Sequence, residues 1–122
     1  MQRKKILLVD DAETVLLMER MILGKNYDLV VARDGREAVN KAADESPDLI
    51  LLDVMMPGID GFETCKQIRG DQRTCDVPII MVTTRGEPEN KENGFRSGCT
   101  DYVSKPFTGT ELLLKVKHYL GQ

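Results

Sequence analysis

The 122-residue chain has no tryptophan, a single histidine, only three cysteines and no long hydrophobic run. Its longest apolar stretch, Leu49 to Pro57, is interrupted by Asp53 and falls far short of the ~20 apolar residues that span a bilayer. The cysteines form no Cys-x-x-Cys pair and no metal-ligand spacing with His118. These absences argue against a membrane helix and a thiolate metal site, and we interpret the cysteines as reduced thiols.

Length and charge narrow the class of protein further. A chain of 122 residues matches one compact domain, and because no linker or low-complexity tract interrupts it, we predict a single domain over residues 1–122. The 17 basic and 20 acidic residues give a net charge of -3, which does not favour direct nucleic-acid binding. The apolar run after the basic start ends at Asp10 and is too short for a signal sequence, so we expect a cytoplasmic protein.

Short runs rich in Val, Ile and Leu alternate with segments of helical spacing. The predicted strands are Ile6 to Val9, Leu29 to Ala32, Leu49 to Leu52, Ile79 to Val82 and, more weakly, Tyr102 to Ser104. The apolar faces predicted for three helices are Val15, Met18 and Ile22, then Ala38 and Ala42, then Leu112, Val116 and Tyr119. Continuous apolar strands alternating with helices indicate an α/β fold whose parallel sheet carries helices on both faces.

Helix starts are marked by a capping residue three positions before a glutamate. The three pairs are Asp34 with Glu37, Asp60 with Glu63, and Thr108 with Glu111. The fourth helix, within residues 85–97, contains Gly86, Pro88 and Gly94 and little apolar surface beyond Phe95, so we expect it to be the least stable. Met18, Met21 and Met81 are interpreted as core packing residues and His118 as a surface residue.

Acidic residues follow two of the predicted strands. Asp10 and Asp11 come directly after the first strand, and Asp53 ends the third. Parallel sheets bind ligands outside the carboxyl ends of their strands, so these carboxylates should converge. Three nearby carboxylates repel one another unless a cation is present, and oxygen ligands suit Mg²⁺, with Mn²⁺ also fitting. The alternative is that such residues only cap helices, as Asp11 could, but Asp53 within an apolar run needs a partner.

Two further polar residues lie at the same predicted edge. Thr83 ends the fourth strand and Lys105 follows the fifth. Taken alone, a strand-end threonine or an exposed lysine is ordinary. Together with the three acids, a hydroxyl and an ammonium form a pocket that suits a phosphoryl group.

These motifs resemble a known family. Leu8-Val9-Asp10-Asp11, Asp53 to Gly58, Met81 to Thr84 and Lys105-Pro106-Phe107 are similar, in order and spacing, to the receiver domain of bacterial two-component response regulators. The resemblance covers essentially the whole chain. It implies a doubly wound (flavodoxin-like, CheY-like) (βα)5 fold with a five-stranded parallel sheet in the order 2-1-3-4-5.

The resemblance also assigns roles at the site. Asp53 would accept a phosphoryl group from a sensor histidine kinase, a phosphotransfer protein or a small acyl phosphate. Asp10, Asp11, Asp53 and the backbone carbonyl of Met55 would hold Mg²⁺, and Lys105 would pair with Asp53 or its phosphate. Such a domain catalyses only its own phosphorylation and dephosphorylation, so no enzyme acting on a diffusible substrate is expected.

The same family provides an expected switch. Thr83 and Tyr102 would rearrange on phosphorylation and reshape the surface of the fourth helix, fifth strand and fifth helix, which would bind a downstream protein. A cis peptide is expected between Lys105 and Pro106. Thr84 stands where smaller residues are frequent, and we hypothesise that its bulk restricts access to the phosphoryl group.

Three other functions compete with this interpretation. A phosphatase of the haloacid-dehalogenase type needs a second aspartate two positions after the nucleophile, where this chain has Met55. A flavin carrier would need hydroxyls and glycines in its first loop, where this chain has Asp10 and Asp11. A degenerate receiver serving only as a protein-interaction scaffold is disfavoured because all five site residues are present.

Overall fold

The computed structural model describes residues 3–84 and 88–122, with the side chains at 84 and 88–91 outside that description. The strands are β1 (Lys5–Val9), β2 (Asp28–Ala32), β3 (Leu49–Asp53), β4 (Ile79–Thr84) and β5 (Asp101–Lys105). The helices are α1 (Glu13–Leu23), α2 (Gly35–Glu45), α3 (Gly61–Arg69), α4 (Pro88–Ser97) and α5 (Gly109–Tyr119). Within these described residues, no helix combines the length and apolar character that crossing a membrane requires.

The five strands form one parallel sheet in the order β2-β1-β3-β4-β5. Leu8 of β1 pairs with Val31 of β2 on one side and with Leu51 of β3 on the other. The predicted fold class and strand order are therefore confirmed. This order makes β1 and β3 neighbours, so their carboxyl ends lie side by side.

Strand alternation divides the core into two layers. On one face, α1 and α5 contribute Leu16, Leu23, Leu112 and Val116 against Ile6, Leu8, Leu49, Leu51, Ile80 and Val82. On the other, α2 and α3 contribute Ala38, Ala42, Cys65 and Ile68 against Leu7, Val9, Ile50, Leu52, Ile79 and Met81. Successive strand residues point to opposite faces, which explains why a continuous apolar run is needed.

The three predicted capping signals are confirmed. The side chains of Asp34, Asp60 and Thr108 accept hydrogen bonds from the backbone N–H groups of Glu37, Glu63 and Glu111. Each satisfies a donor that the first helical turn leaves unpaired.

The predicted buried face of α1 is wrong by one residue. Leu16, Glu19 and Leu23 are buried, whereas Met18 is 47% exposed and Met21 is 74% exposed. Val15 and Ile22 lie at the boundary and are half-buried. The two candidate faces have the same helical spacing, and only docking against the sheet decides between them. Met18 and Met21 are therefore not core residues, while Met81 is fully buried as predicted.

α4 packs through small residues. Its Gly94 is buried, and a Cβ added there would lie 3.2 Å from the Sγ atom of Cys99. Phe95 is half exposed, so the one large apolar side chain of the described part of this helix contributes only partly to the core. The expected low stability of α4 stays a prediction, because a structure alone does not measure stability. Residues 85–87 of the predicted helix lie outside the described residues.

The remaining minor predictions concern cysteine and histidine. All three cysteines are free, with Cys65 and Cys99 buried and Cys75 exposed. Burial raises the pKa of Cys65 to about 11 and that of Cys99 to about 12, which leaves both as thiols. His118 is exposed, as predicted, and stacks edge-on against Tyr119.

Candidate functional site at the carboxyl edge of the sheet

Three carboxylates meet where β1 and β3 end. Asp10 and Asp11 follow β1, Asp53 is the last residue of β3, and one oxygen from each lies within 4.8 Å of the others. Asp10 and Asp53 are buried, at 1% and 4% exposure, while Asp11 is exposed. The three acids therefore converge in the structure, as the sequence predicted.

Asp10 also shapes the start of α1. Its Oδ1 accepts a hydrogen bond from the backbone N–H of Ala12 at 2.9 Å. Ala12 is the N-cap of α1, and no side-chain capping bond is found for this helix among the described residues. Asp11 therefore does not serve as the helix cap that the alternative interpretation allowed.

Lys105 is the cation that joins two of the acids. Its Nζ lies 3.1 Å from Asp53 Oδ1 and 3.4 Å from Asp10 Oδ2. Lys105 ends β5, two strands away from β3, and its long stem reaches across β4. Lys105 is 52 positions from Asp53 and 95 positions from Asp10 in the sequence, so only the folded sheet brings these residues into contact.

The electrostatic balance at Asp53 favours a proton more than usual. The pKa of this carboxyl is raised to about 6, chiefly by burial and also by the charge of Asp10. The hydrogen bond and charge of Lys105 act in the opposite direction. For Lys105, burial lowers the pKa, but the hydrogen bonds and charges of Asp53 and Asp10 together outweigh it, so the net shift is upward.

Thr83 and Tyr102 lie on the same face of the sheet. Tyr102 is paired in register with Met81, and Thr83 follows Met81 by two positions, so strand alternation gives the three residues one side. Thr83 is buried, and its hydroxyl has no hydrogen-bond partner in the part of the chain that is described. The Tyr102 ring is half-buried and meets Phe95 edge to face at 5.9 Å between centroids.

A polar network beside Tyr102 was not foreseen from the sequence. Asp101 accepts hydrogen bonds from the Tyr119 hydroxyl at 2.7 Å and from Lys115 Nζ at 3.0 Å. Burial raises the pKa of Asp101, but these two bonds, the bond from the Tyr102 backbone N–H and the charge of Lys115 together outweigh it, so the net shift is downward. Lys115 Nζ also lies 5.8 Å from the centroid of the Tyr102 ring, which ties the network to the aromatic side chain.

Glu19 is another residue that sequence reasoning missed. It lies on the inner face of α1 between Leu16 and Leu23 and is 1% exposed. The signal was present, because Glu19 is three residues after Leu16 and four before Leu23. The competing Val15, Met18 and Ile22 spacing hid it.

The other expected residues have simpler positions. Met55 lies two residues after Asp53, with a side chain that is 68% exposed. The peptide bond between Lys105 and Pro106 is cis, as expected. The side chain of Thr84, and with it the hypothesis about its bulk, lies outside the described residues.

The donor set fits a hard divalent cation. Mg²⁺ takes oxygen ligands and uses one or two carboxylates together with water and phosphate oxygens. Three carboxylate oxygens within 4.8 Å of one another, one of them on exposed Asp11, meet that requirement and leave an open side. The two buried acids also carry more negative charge than Lys105 alone can compensate.

Comparison with known proteins identifies the family. The model of the response regulator receiver domain matches residues 6–117. Transcriptional regulatory protein ResD of Bacillus subtilis is 47% identical over 117 residues, which are 95% of this chain and 48% of that protein. The chain thus spans about half the length of the curated relatives it matches.

Solved structures agree with this match. Chemotaxis protein CheY4 of Vibrio cholerae superposes with a TM-score of 0.91 at 36% identity, covering 97% of this chain and 99% of that one. The receiver domain of sensor histidine kinase PA1611 from Pseudomonas aeruginosa has a TM-score of 0.92 at 30% identity, covering 99% and 100%. That structure holds a magnesium ion in its active site cleft. The fold, the acidic edge and these matches agree, and the chain belongs to the response regulator receiver domain family.

Proposed function

We propose that this chain is a signalling switch controlled by Mg²⁺-dependent phosphorylation of Asp53. The proposal rests on one observation above all: Lys105 Nζ lies 3.1 Å from Asp53 Oδ1, beside the cluster formed with Asp10 and Asp11. A buried acid contacted by a cation and flanked by two further acids is an expensive arrangement for a core. It suits a site where charge changes during function.

In the proposed reaction, an Asp53 carboxylate oxygen attacks phosphorus in a phosphohistidine or a small acyl phosphate. The new P–O bond forms as the bond to the donor breaks, and the leaving group departs with the electron pair. A phosphohistidine protonated on its other ring nitrogen releases neutral imidazole, and an acyl phosphate releases a carboxylate, so in both cases the chain needs no general acid. Because its pKa of about 6 lies below neutral pH, Asp53 is largely ionised and nucleophilic there.

The product carries more negative charge than Asp53 alone, near -2 on the phosphoryl group at neutral pH. Lys105 compensates part of it by moving from the carboxylate to a phosphoryl oxygen. Asp10 and Asp11, with Asp53 and the carbonyl of Met55, would hold Mg²⁺. When bound, this ion neutralises the charge that develops during transfer.

The proposed switch consists of Thr83 and Tyr102. The buried hydroxyl of Thr83, which has no partner among the described residues, would donate to a phosphoryl oxygen and give the phosphorylated state an additional hydrogen bond. Tyr102 shares its sheet face and packs against exposed Phe95 of α4. A shift of Thr83 would therefore change the surface made by α4, β5 and α5, where we place the contact with a downstream protein.

The proposed partners follow from this chemistry. A sensor histidine kinase or phosphotransfer protein would supply the phosphoryl group, and the chain would catalyse only its own phosphorylation and dephosphorylation. A net charge of -3 supports recognition of protein and not of nucleic acid by this chain. A cytoplasmic location suits such partners.

The test is incubation of the parent protein with acetyl phosphate and Mg²⁺, followed by intact mass. We expect one labile phosphoryl adduct that requires Mg²⁺ and is lost in Asp53→Asn. Asp76→Asn is the matched control, because it makes the same chemical change at an exposed position outside the acidic cluster. It should be phosphorylated like the parent.

Two results would contradict the proposal. An adduct that survives in Asp53→Asn would place phosphorylation on another residue. A folded parent protein that neither accepts phosphate nor binds a beryllofluoride mimic would favour the scaffold function instead.

A further inference from the structure

Glu19 is a buried acid for which the proposed switch has no use. It lies on the side of α1 that faces the sheet, between fully buried Leu16 and Leu23. Glutamate is almost never fully buried unless it is paired. A leucine here would extend the apolar face of α1, so the carboxyl is a costly choice for a core position.

This carboxyl is short of partners. Its Oε1 atom is buried without a hydrogen bond from any described residue, and the ion pairs within 4.0 Å found among those residues do not include it. Burial raises the pKa of Glu19 to about 8, with further contributions from Asp10 and Asp53 and an opposing one from Lys105. The charges that shift this pKa are those of the acidic site. Lys105 also reaches α1 itself, because it lines a small cavity together with Val15 and Met18, and Val15 lies one helical turn before Glu19.

Lys105 and a divalent cation compete for the same acids. The ammonium lies against both Asp10 and Asp53, which are two of the three clustered carboxylates. A divalent cation placed on these oxygens would repel the ammonium. Lys105 has three donors and a flexible stem, so it is able to leave one carboxylate for another acceptor nearby.

We propose that Glu19 is a positioning residue that accepts the ammonium of Lys105 when a divalent cation takes Asp10. This inference rests on the proposed function, because it assumes that the three aspartates hold the cation. Glu19 then lowers the free energy cost of displacing Lys105 from Asp10. The Oε1 atom, which no described residue pairs with, is the acceptor that this step uses.

A purely structural role makes a different prediction. A buried carboxyl that only occupies space destabilises the fold, and its replacement by leucine would stabilise the protein without changing cation affinity. A simple charge effect would weaken Mg²⁺ binding whether or not Lys105 is present. The two alternatives are separated from the proposal by removing Lys105.

The experiment is a double-mutant cycle on Mg²⁺ affinity, measured by titration calorimetry above pH ~8, where the Glu19 carboxyl is ionised and Lys105 is still charged. The proteins are the parent, Glu19→Gln, Lys105→Met and the double variant, with thermal unfolding as the check on folding. We expect Glu19→Gln to bind Mg²⁺ about three- to tenfold more weakly than the parent, which is the size of coupling that interacting residues show. In the Lys105→Met background the same substitution should change affinity by less than about twofold.

Each outcome has one meaning. A folded parent protein that binds no Mg²⁺ overturns the proposed function itself. A parent that binds Mg²⁺ while the two substitutions act additively overturns the role of Glu19 and leaves the proposed function intact. If Glu19→Gln does not fold, Glu19→Leu completes the same cycle, and a stabilised variant with unchanged Mg²⁺ affinity overturns the role equally.

Discussion

The two edges of the sheet differ in how they arrange charge. At the amino-terminal edge, Lys5 Nζ contacts Glu45 Oε1 at 3.1 Å, and the backbone N–H of Lys5 donates to Asp48 Oδ2 at 2.7 Å. Here opposite charges are paired and partly exposed. At the carboxyl edge, Asp10 and Asp53 are buried and share one lysine.

The difference agrees with a stabilising role for the amino-terminal edge and with the proposed function at the carboxyl edge. Paired, half-exposed charges give modest stabilisation and need no ligand. Buried like charges repel, and they remain only where the rest of the fold holds them in place. In this chain the amino-terminal edge ties segments together, while the carboxyl edge holds a charge imbalance that, in the proposed function, a cation or phosphoryl group would relieve.

The largest expected effect comes from removing one of the buried charges that distinguish the carboxyl edge from the amino-terminal edge. Asp10→Asn removes one buried charge, so we expect the metal-free protein to melt at a higher temperature while Mg²⁺ affinity falls by at least about tenfold. Asp48→Ala removes the acceptor at the opposite edge and should cost about 1–2 kcal/mol of stability with no change in Mg²⁺ affinity. Thermal unfolding and calorimetry measure both. Equal effects of the two variants on Mg²⁺ affinity would break the comparison.

The second effect is a pH dependence that belongs to the carboxyl edge. Asp53 and Glu19 have folded pKa values of about 6 and about 8, above their ordinary values of 3.8 and 4.5. The folded state therefore binds more protons than the unfolded state between these values. It follows that the free energy of unfolding falls as pH rises from about 4 to about 8.

Denaturant titrations without divalent cations measure this decrease. For each group, the total decrease is about 1.4 kcal/mol per unit by which the folded pKa exceeds the unfolded pKa. Glu19→Gln should flatten the part above pH ~6, where Glu19 alone still titrates. A stability that rises with pH across this range in the parent protein would contradict the charge imbalance at the carboxyl edge.

The third effect concerns a single side chain near the amino-terminal edge. Arg69 donates to the carbonyl oxygen of Gly98 at 2.8 Å and to Thr100 Oγ1 at 3.3 Å, which itself accepts from the N–H of Ile79. Arg69→Met removes the donor to the Gly98 carbonyl oxygen and leaves Thr100 Oγ1 with only the Ile79 N–H, so we expect a loss of about 1–3 kcal/mol. Phosphorylation from acetyl phosphate should be unchanged, and a slower reaction would show that this edge also serves the site.

The smallest effect is local to α4. Gly94 allows a close approach to Cys99 and Phe95 remains half exposed, so the described side chains of this helix, residues 92–97, bury little apolar surface. We expect its amide protons to exchange faster than those of the other four helices. Hydrogen exchange read by mass spectrometry tests this, with α2 as the internal reference, and equal protection in both helices would refute it.

Much of the fold was predictable because its signals are local. The runs Leu49 to Leu52 and Ile79 to Val82 contain β-branched and aliphatic residues without alternation, which indicates strands buried on both faces. Asp34, Asp60 and Thr108 mark helix starts by a bond that spans three residues. The inner face of α1 was not predictable, because two sets of positions had equal spacing and only the sheet distinguishes them.

The sequence by itself determined that acids follow two strands, that a hydroxyl and a lysine follow two others, and that all should meet at one edge. This works because parallel strands bring their carboxyl ends to one side. Only the tertiary structure decided that Lys105 bridges Asp10 and Asp53, that Asp101 binds Lys115 and Tyr119, and that Glu19 is buried. These contacts join residues that are far apart in the chain, so local patterns do not predict them. Glu19 is buried because it shares the sheet-facing side of α1 with Leu16 and Leu23.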